Sequence, residues 1–180
     1  MSEFLRKLKL IDNFTIELKV SKNDFVTKLK ENVVEGSVDP FFEMFDLFSS
    51  NKKEYKGRVN FEKFEIKRRA KFFDSTLNLA VAKGSLYQKE DRLIIEAEIN
   101  GFPTFMLFPL FIMVICYALF FFFLLVSYIQ DDSPFLWSGP FIFFHGIFMF
   151  GIPYLIMRRS TSRLKYDLER EFHFLTRASN

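Results

Sequence analysis

Cys116, Tyr117 and His145 are the side chains of the apolar half of the chain with chemistry to offer. His145 stands in "FIFFHGIFMFGIPYLIMRRS", near the middle of an apolar run that extends over residues 135–157. An ionisable group at the centre of such a run is costly in hydrocarbon and normally faces a protein partner. If the two apolar runs of this chain fold back on each other, Cys116 and Tyr117 reach the depth of His145. A neutral imidazole bonded to the Tyr117 hydroxyl would then satisfy both groups. A proton or ion relay would need further charged groups at that depth, and neither run contains Asp, Glu, Lys or Arg. The pair His145 and Tyr117 is therefore expected to be structural, with the relay as second reading.

The run "KRRAK", residues 67–71, offers a different chemistry. By strand alternation Lys67, Arg69 and Lys71 share the polar face. Together with Arg158 and Arg159, which close the second apolar run, they could meet anionic headgroups, at roughly 1 kcal/mol for each charge near the surface. The plainer reading of the strand residues is a solvated face. Alternation turns Arg68 inward with Ile66 and Ala70, to a sheet edge, an acid or a headgroup. Gly139, Gly146 and Pro153 recur every seven residues and so share a helical face, where small residues admit a neighbouring helix. That face suits the seam of a hairpin or a contact between copies of the chain, and Pro153 beside Gly151 invites a kink.

Signatures of catalysis are missing. There is no glycine-rich phosphate loop and no glycine-flanked serine, and outside the apolar runs His173 is the one histidine. Glu96 and Glu98 fall on one exposed strand face, an ordinary placement. The single cysteine excludes an internal disulfide and a cysteine metal site. We therefore expect no catalytic residues, no metal, no cofactor and no enzyme activity. Residues 1–101 hold 19 basic against 17 acidic side chains, a balance that gives no case for nucleic acid as a partner.

The elements that position these residues begin with the apolar runs. Residues 102–129 span roughly 42 Å as a helix, against roughly 30 Å of hydrocarbon. Pro103 suits a first helical turn, and Pro109 predicts a kink or a late helix start by freeing the Phe105 carbonyl. The segment "QDDSPFLWSG" supplies turn formers and the only Trp. It holds no Lys or Arg, whereas Arg158, Arg159, Arg163 and Lys165 follow the second run and Lys83, Lys89 and Arg92 precede the first. The positive-inside rule then puts both termini in the cytoplasm. The opening "MSEFLRKLKLIDN" lacks the apolar core of a secretory signal.

The first hundred residues read as an α+β domain. "FTIELKV" alternates as a half-buried strand with Phe14, Ile16, Leu18 and Val20 on one face. Ser21 and Asp24 read as a capping box for a helix carrying Phe25, Leu29 and Val33. Asp39 and Pro40 suggest a second short helix over "FFEMFDLF". Strand-like segments follow over 55–61, with Tyr55, Val59 and Phe61 on one face, and over 64–72. The shift of apolar parity at Glu62-Lys63 marks a turn or bulge. "LNLAVAKGSLY" and "RLIIEAEI" form a hairpin about "QKED", the second strand turning Leu93, Ile95, Ala97 and Ile99 inward. In the tail, Leu164, Leu168, Phe172 and Leu175 share one helical face.

The order strand, helix, helix, antiparallel meander over residues 14–99 resembles helix-grip domains of the START and Bet v 1 kind. That resemblance implies an apolar ligand held between a curved sheet and a long C-terminal helix. The whole layout resembles small bacterial membrane proteins that join a cytosolic α+β domain to a two-helix anchor, a likeness that implies no particular activity. The expected organisation is an α+β domain over 1–100, a transmembrane helical hairpin over 101–157 (helices at about 102–129 and 135–157) and an amphipathic helical tail over 158–180. The expected function is that of an integral membrane protein of the cytoplasmic or inner membrane. Its cytosolic part would be an interaction or regulatory domain, with lipid or apolar-ligand binding as the alternative. The expected partners are the bilayer and another membrane protein or a second copy of the chain.

Overall fold

The computed structural model describes residues 2–39, 53–69, 78–129 and 138–177. The second short helix over "FFEMFDLF", the "QDDSP" connection and Lys71 lie outside them. The protein is a mixed α+β molecule: a six-stranded sheet with helices, followed by two long apolar helices. Two compact units are present, one formed by residues 1–102 with 156–180 and the other by residues 103–155.

In the first unit a short helix α1 (Ser2–Lys7) leads into strand β1 (Ile11–Leu18), helix α2 (Lys22–Asn32) and a short strand β2 (Val33–Glu35). Strands β3 (Tyr55–Val59), β4 (Lys63–Arg68), β5 (Val81–Lys89) and β6 (Arg92–Asn100) follow. The strand order is β1-β6-β5-β4-β3-β2, antiparallel except for the β2–β3 pair. Ser21 caps α2 by accepting from the Asp24 N–H at 3.2 Å, while its hydroxyl donates to the Asp24 carboxylate at 2.7 Å. The parity shift at Glu62-Lys63 is a tight turn, closed by Asn60 N donating to Lys63 O at 2.8 Å. Phe61, expected to share the face of Tyr55, lies past the end of β3 and is exposed.

One cross-strand row explains how the sheet receives its helix. Phe14 faces Ala97, Ala97 faces Gly84, and Gly84 faces Phe64. Two large rings thus flank two of the smallest residues, leaving a hollow at the centre of the apolar face. Phe172 fills it, its ring centroid 6.3 Å from Phe14, 5.4 Å from Phe25 and 5.7 Å from Phe64. Phe172 belongs to a 40-residue helix, Ser138–Arg177, numbered α4 below, whose residues from Ile156 onward count within the sheet unit. Leu164, Leu168 and Leu175 are buried along the same stripe. Gly84 cannot be enlarged, because a Cβ there would come within 2.4 Å of the Phe64 ring.

The second unit holds helix α3 (Leu107–Ile129), which a short 3-10 turn (Thr104–Met106) precedes, and the α4 residues up to Leu155. The helix that Pro109 was expected to kink or delay starts late, with Pro109 in its first turn. None of the side chains of α3 is buried. Pro153 sits inside α4, which continues through it.

Candidate functional site

In the apolar unit the structure brings Tyr117 and His145 together. The Tyr117 hydroxyl lies 2.6 Å from His145 Nδ1. With Nδ1 unprotonated the phenol donates and the imidazole stays neutral, which removes a charge from an apolar setting. Phe141 stacks on the imidazole, with centroids 6.3 Å apart and planes at 20°, and Phe150 leans on Tyr117 at 5.8 Å. A Cβ on Gly146 would sit 3.6 Å from the Tyr117 hydroxyl, so this glycine lies directly against the pair. Gly139, expected on the same packing face, has among the described residues no heavy atom beyond its own stretch of helix within 4 Å of where its Cβ would be. Gly146 thus lies at a contact that Gly139 does not share. Pro153 is half-buried and Cys116 is an exposed free thiol.

The pair can hold one proton between two aromatic groups. Intramembrane hydrogen bonds average about 0.6 kcal/mol, so Tyr117→Phe and His145→Leu should each cost roughly that much. Because the groups act as a unit, the double variant should cost less than the sum. Denaturant unfolding of the four proteins in detergent measures this, and strict additivity would dissolve the pair as an energetic unit.

The sheet unit holds a second polar cluster, on the apolar face where β3 begins and β4 ends. Tyr55 and Arg68 are cross-strand partners there, and Asp167 and Glu171, one helical turn apart on α4, come down on them. Arg68 Nη1 meets Asp167 Oδ2 at 2.6 Å, with side chains 17% and 11% exposed. Arg170 approaches the other oxygen of Asp167 at 3.8 Å. Asn32 Nδ2 reaches Glu171 Oε1 at 3.5 Å, and Lys28 Nζ donates to the Leu175 carbonyl at 3.3 Å. Burial above all, then Asp167, Glu171 and Glu54, push the Tyr55 hydroxyl above its ordinary value, so it remains a donor.

Burial also raises the Glu171 carboxyl above the usual carboxylate range, with Glu54 adding and Arg170 opposing. The native state therefore holds this proton more tightly than the unfolded chain does. Ionised Glu171 destabilises at neutral pH, and the cost disappears as pH falls through the native pKa. Glu171→Gln keeps an acceptor for Asn32 and should raise stability at neutral pH, with no gain in acid. Melting curves of both proteins at stepped pH test this; a variant less stable than the parent at neutral pH would mean that the charge itself is needed.

Strand alternation misplaces two basic residues. Lys67 and Arg69, expected on an exposed polar face, are 2% and 4% exposed. Lys67 Nζ donates to the carbonyl of Val38 at 3.3 Å, so at Lys67 this face of β4 is covered by chain rather than open to solvent or lipid. Arg68 does point inward, and its acid is Asp167. Arg158 and Arg159 are exposed. Glu98 pairs with Arg6 at 2.9 Å, while Glu96 and His173 are exposed. Among the described residues no three of His, Cys, Asp and Glu are grouped to hold a metal ion.

Fold and sites together define a mixed α+β protein with a sheet unit and two helices long and apolar enough to cross a membrane. No family model, no curated protein and no solved structure matches the chain.

Proposed function

We propose that the chain is an integral membrane protein whose two apolar helices cross the bilayer as a hairpin, with both termini cytoplasmic. The sheet unit is then a membrane-anchored interaction or regulatory domain without catalytic activity. The observation that carries this reading is the outward display of large apolar side chains on both helices. Phe108 and Phe141 are each 71% exposed, and the most apolar stretch of the first helix has no buried residue. A core helix of a soluble protein would have its apolar face covered by the rest of the chain. Here such a surface is left for lipid or for another membrane protein.

Two features of the sheet unit favour binding a partner over holding an apolar ligand. The hollow between sheet and helix, where a helix-grip domain would seat its ligand, is occupied by Phe172 and its three neighbouring rings. At the loop end of the sheet an open groove of about 1370 Å³ carries the exposed rings of Phe61 and Tyr87 among charged side chains. Lys22 Nζ stands 4.4 Å above the Phe61 ring there. Exposed aromatic rings are enriched in protein interfaces.

Cysteine labelling tests the arrangement in intact cells of an expression host, with Cys116 replaced by serine. Ser133→Cys should react with an impermeant thiol reagent from outside, and Asp91→Cys only after permeabilisation. The reverse pattern would move the sheet unit to the other compartment. Protection of both sites until permeabilisation, in a protein that alkaline carbonate extracts from membranes, would end the membrane reading.

A further inference from the structure

Both passages of the chain between the two units leave the sheet unit from one end. There Gly101 N donates to Leu10 O at 2.8 Å, and the Thr161 hydroxyl lies 3.3 Å from Leu10 O and 3.0 Å from Met157 O. A Cβ on Gly101 would fall 2.0 Å from the Thr161 hydroxyl, so only glycine allows this approach. Gly101 is two residues from Pro103, where the apolar unit begins, and Met157 is two residues past Leu155, where it ends. A bilayer crossed by the apolar helices thus starts within a few residues' reach of this knot.

The segment entering the knot is α1, and its composition is unusual for its position. It ends in a Schellman turn: Lys9 N donates to Arg6 O and Leu10 N to Leu5 O, both at 2.9 Å, with Leu5 and Leu10 buried. Lys9 occupies the left-handed position at φ 56°, where glycine is the favoured residue. The fold gains nothing from a lysine there, and its side chain is exposed. Phe4 is 64% exposed on the same short helix. Arg6 and Lys7 are exposed too, Arg6 meeting Glu98, and Arg158 and Arg159 stand exposed just beyond Met157. Of the acids nearby, Asp12 is held by Lys165 at 3.0 Å and Glu3 is the one acid in the first ten residues. An exposed ring with exposed cations where a chain enters hydrocarbon is the composition of an interfacial anchor.

We infer that the N-terminal hook, Phe4 with Arg6, Lys7 and Lys9, rests on anionic phospholipid headgroups as a third membrane contact. The inference depends on the membrane reading of the apolar helices. It assigns the lipid-facing charge to the N-terminal hook instead of to the covered Lys67 and Arg69.

The test uses the full chain with Cys116→Ser and an environment-sensitive dye on Ser2→Cys, reconstituted into vesicles of phosphatidylcholine alone or mixed with phosphatidylserine. Blue-shifted emission and quenching by headgroup-labelled lipid are expected only in the mixed vesicles, and high salt should reverse both. Lys7→Glu with Lys9→Glu should abolish the effect, and Phe4→Ser should weaken it. Each basic residue removed should lower the fraction of lipid-bound hook roughly fivefold. Lys9→Gly separates fold from function: it should raise the melting temperature while weakening the lipid contact. The same dye on Asp91→Cys, at the β5–β6 turn, should stay aqueous throughout. Identical emission from position 2 in both lipids, in a protein that still floats with the vesicles after alkaline washing, would overturn the inference and leave this end to an acidic protein partner. A protein that does not float would remove the membrane reading, and the inference with it.

Discussion

Phe172→Ala should destabilise the sheet unit by about 3–5 kcal/mol, a large fraction of the stability of a domain this size. The ring is fully buried and touches Phe14, Phe25 and Phe64, which come from β1, α2 and β4. Ala97 is small and the Phe64 ring is already held over Gly84, so the walls of the seat are poorly placed to close the space it leaves. The loss should lie toward the upper part of that range, since poor collapse enlarges the residual cavity. Phe174→Ala, two residues on and exposed, removes the same atoms from the same helix and should stay within about 0.5 kcal/mol. Denaturant unfolding in detergent, followed by near-ultraviolet circular dichroism, compares the two. Equal effects would mean that α4 is not held by this socket.

Most of the framework behind that socket can be read in the sequence, because local periodicity carries it. Phe14, Ile16 and Leu18 alternate, as do Leu93, Ile95, Ala97 and Ile99, and both sets face the core. Leu164, Leu168, Phe172 and Leu175 recur at helical spacing and are all buried. The cap at Ser21 and the turn at Glu62-Lys63 follow from side-chain chemistry within a few residues. What periodicity cannot state is which strand lies beside which. Thus β2, only three residues long, is unreadable as a strand, since its pairing is with Tyr55–Gly57 some twenty residues later. The row Phe14, Ala97, Gly84, Phe64 likewise becomes visible only when the register is known.

The candidate sites divide along the same line. The approach of Tyr117 to His145 can be anticipated from position along the two apolar runs, since a fold-back of one on the other would bring their middles together and few polar groups compete. The basic run of β4 could not be placed in this way. Alternation predicts two faces and assumes that one is wet, but Lys67 lies beneath the segment around Val38, 29 positions earlier. Arg68 is 99 positions from its acid. The odd position of Lys9 is also silent in sequence. Lysine in "RKLKL" looks like an ordinary helix-end cation until its left-handed backbone is seen.

The pair formed by Arg68 and Asp167 should behave as an interdependent unit whose halves are worth more together than apart. Asp167→Ala leaves a mostly buried guanidinium facing Tyr55 and the alkyl wall of the helix, with its Nε already lacking a hydrogen-bond partner. Breaking a buried ion pair from one side typically costs 3–5 kcal/mol. Arg68 keeps some access to water, so about 3 kcal/mol is expected. Arg68→Ala should cost less, because Arg170 remains near Asp167 and can take up its charge. Replacing both, as Arg68→Met with Asp167→Leu, removes the charges and fills the volume. It should be less harmful than Asp167→Ala alone, since neither ion is then left desolvated without its partner. Denaturant unfolding ranks the four proteins, and a closed cycle that adds the single variants Arg68→Met and Asp167→Leu gives the coupling. If the double apolar variant is the least stable of the set, the pair contributes net attraction well beyond its desolvation cost. If it is the most stable, the ion pair is kept for a reason other than stability: it adds to the Phe172 socket in fixing which turn of α4 meets the start of β3 and the end of β4.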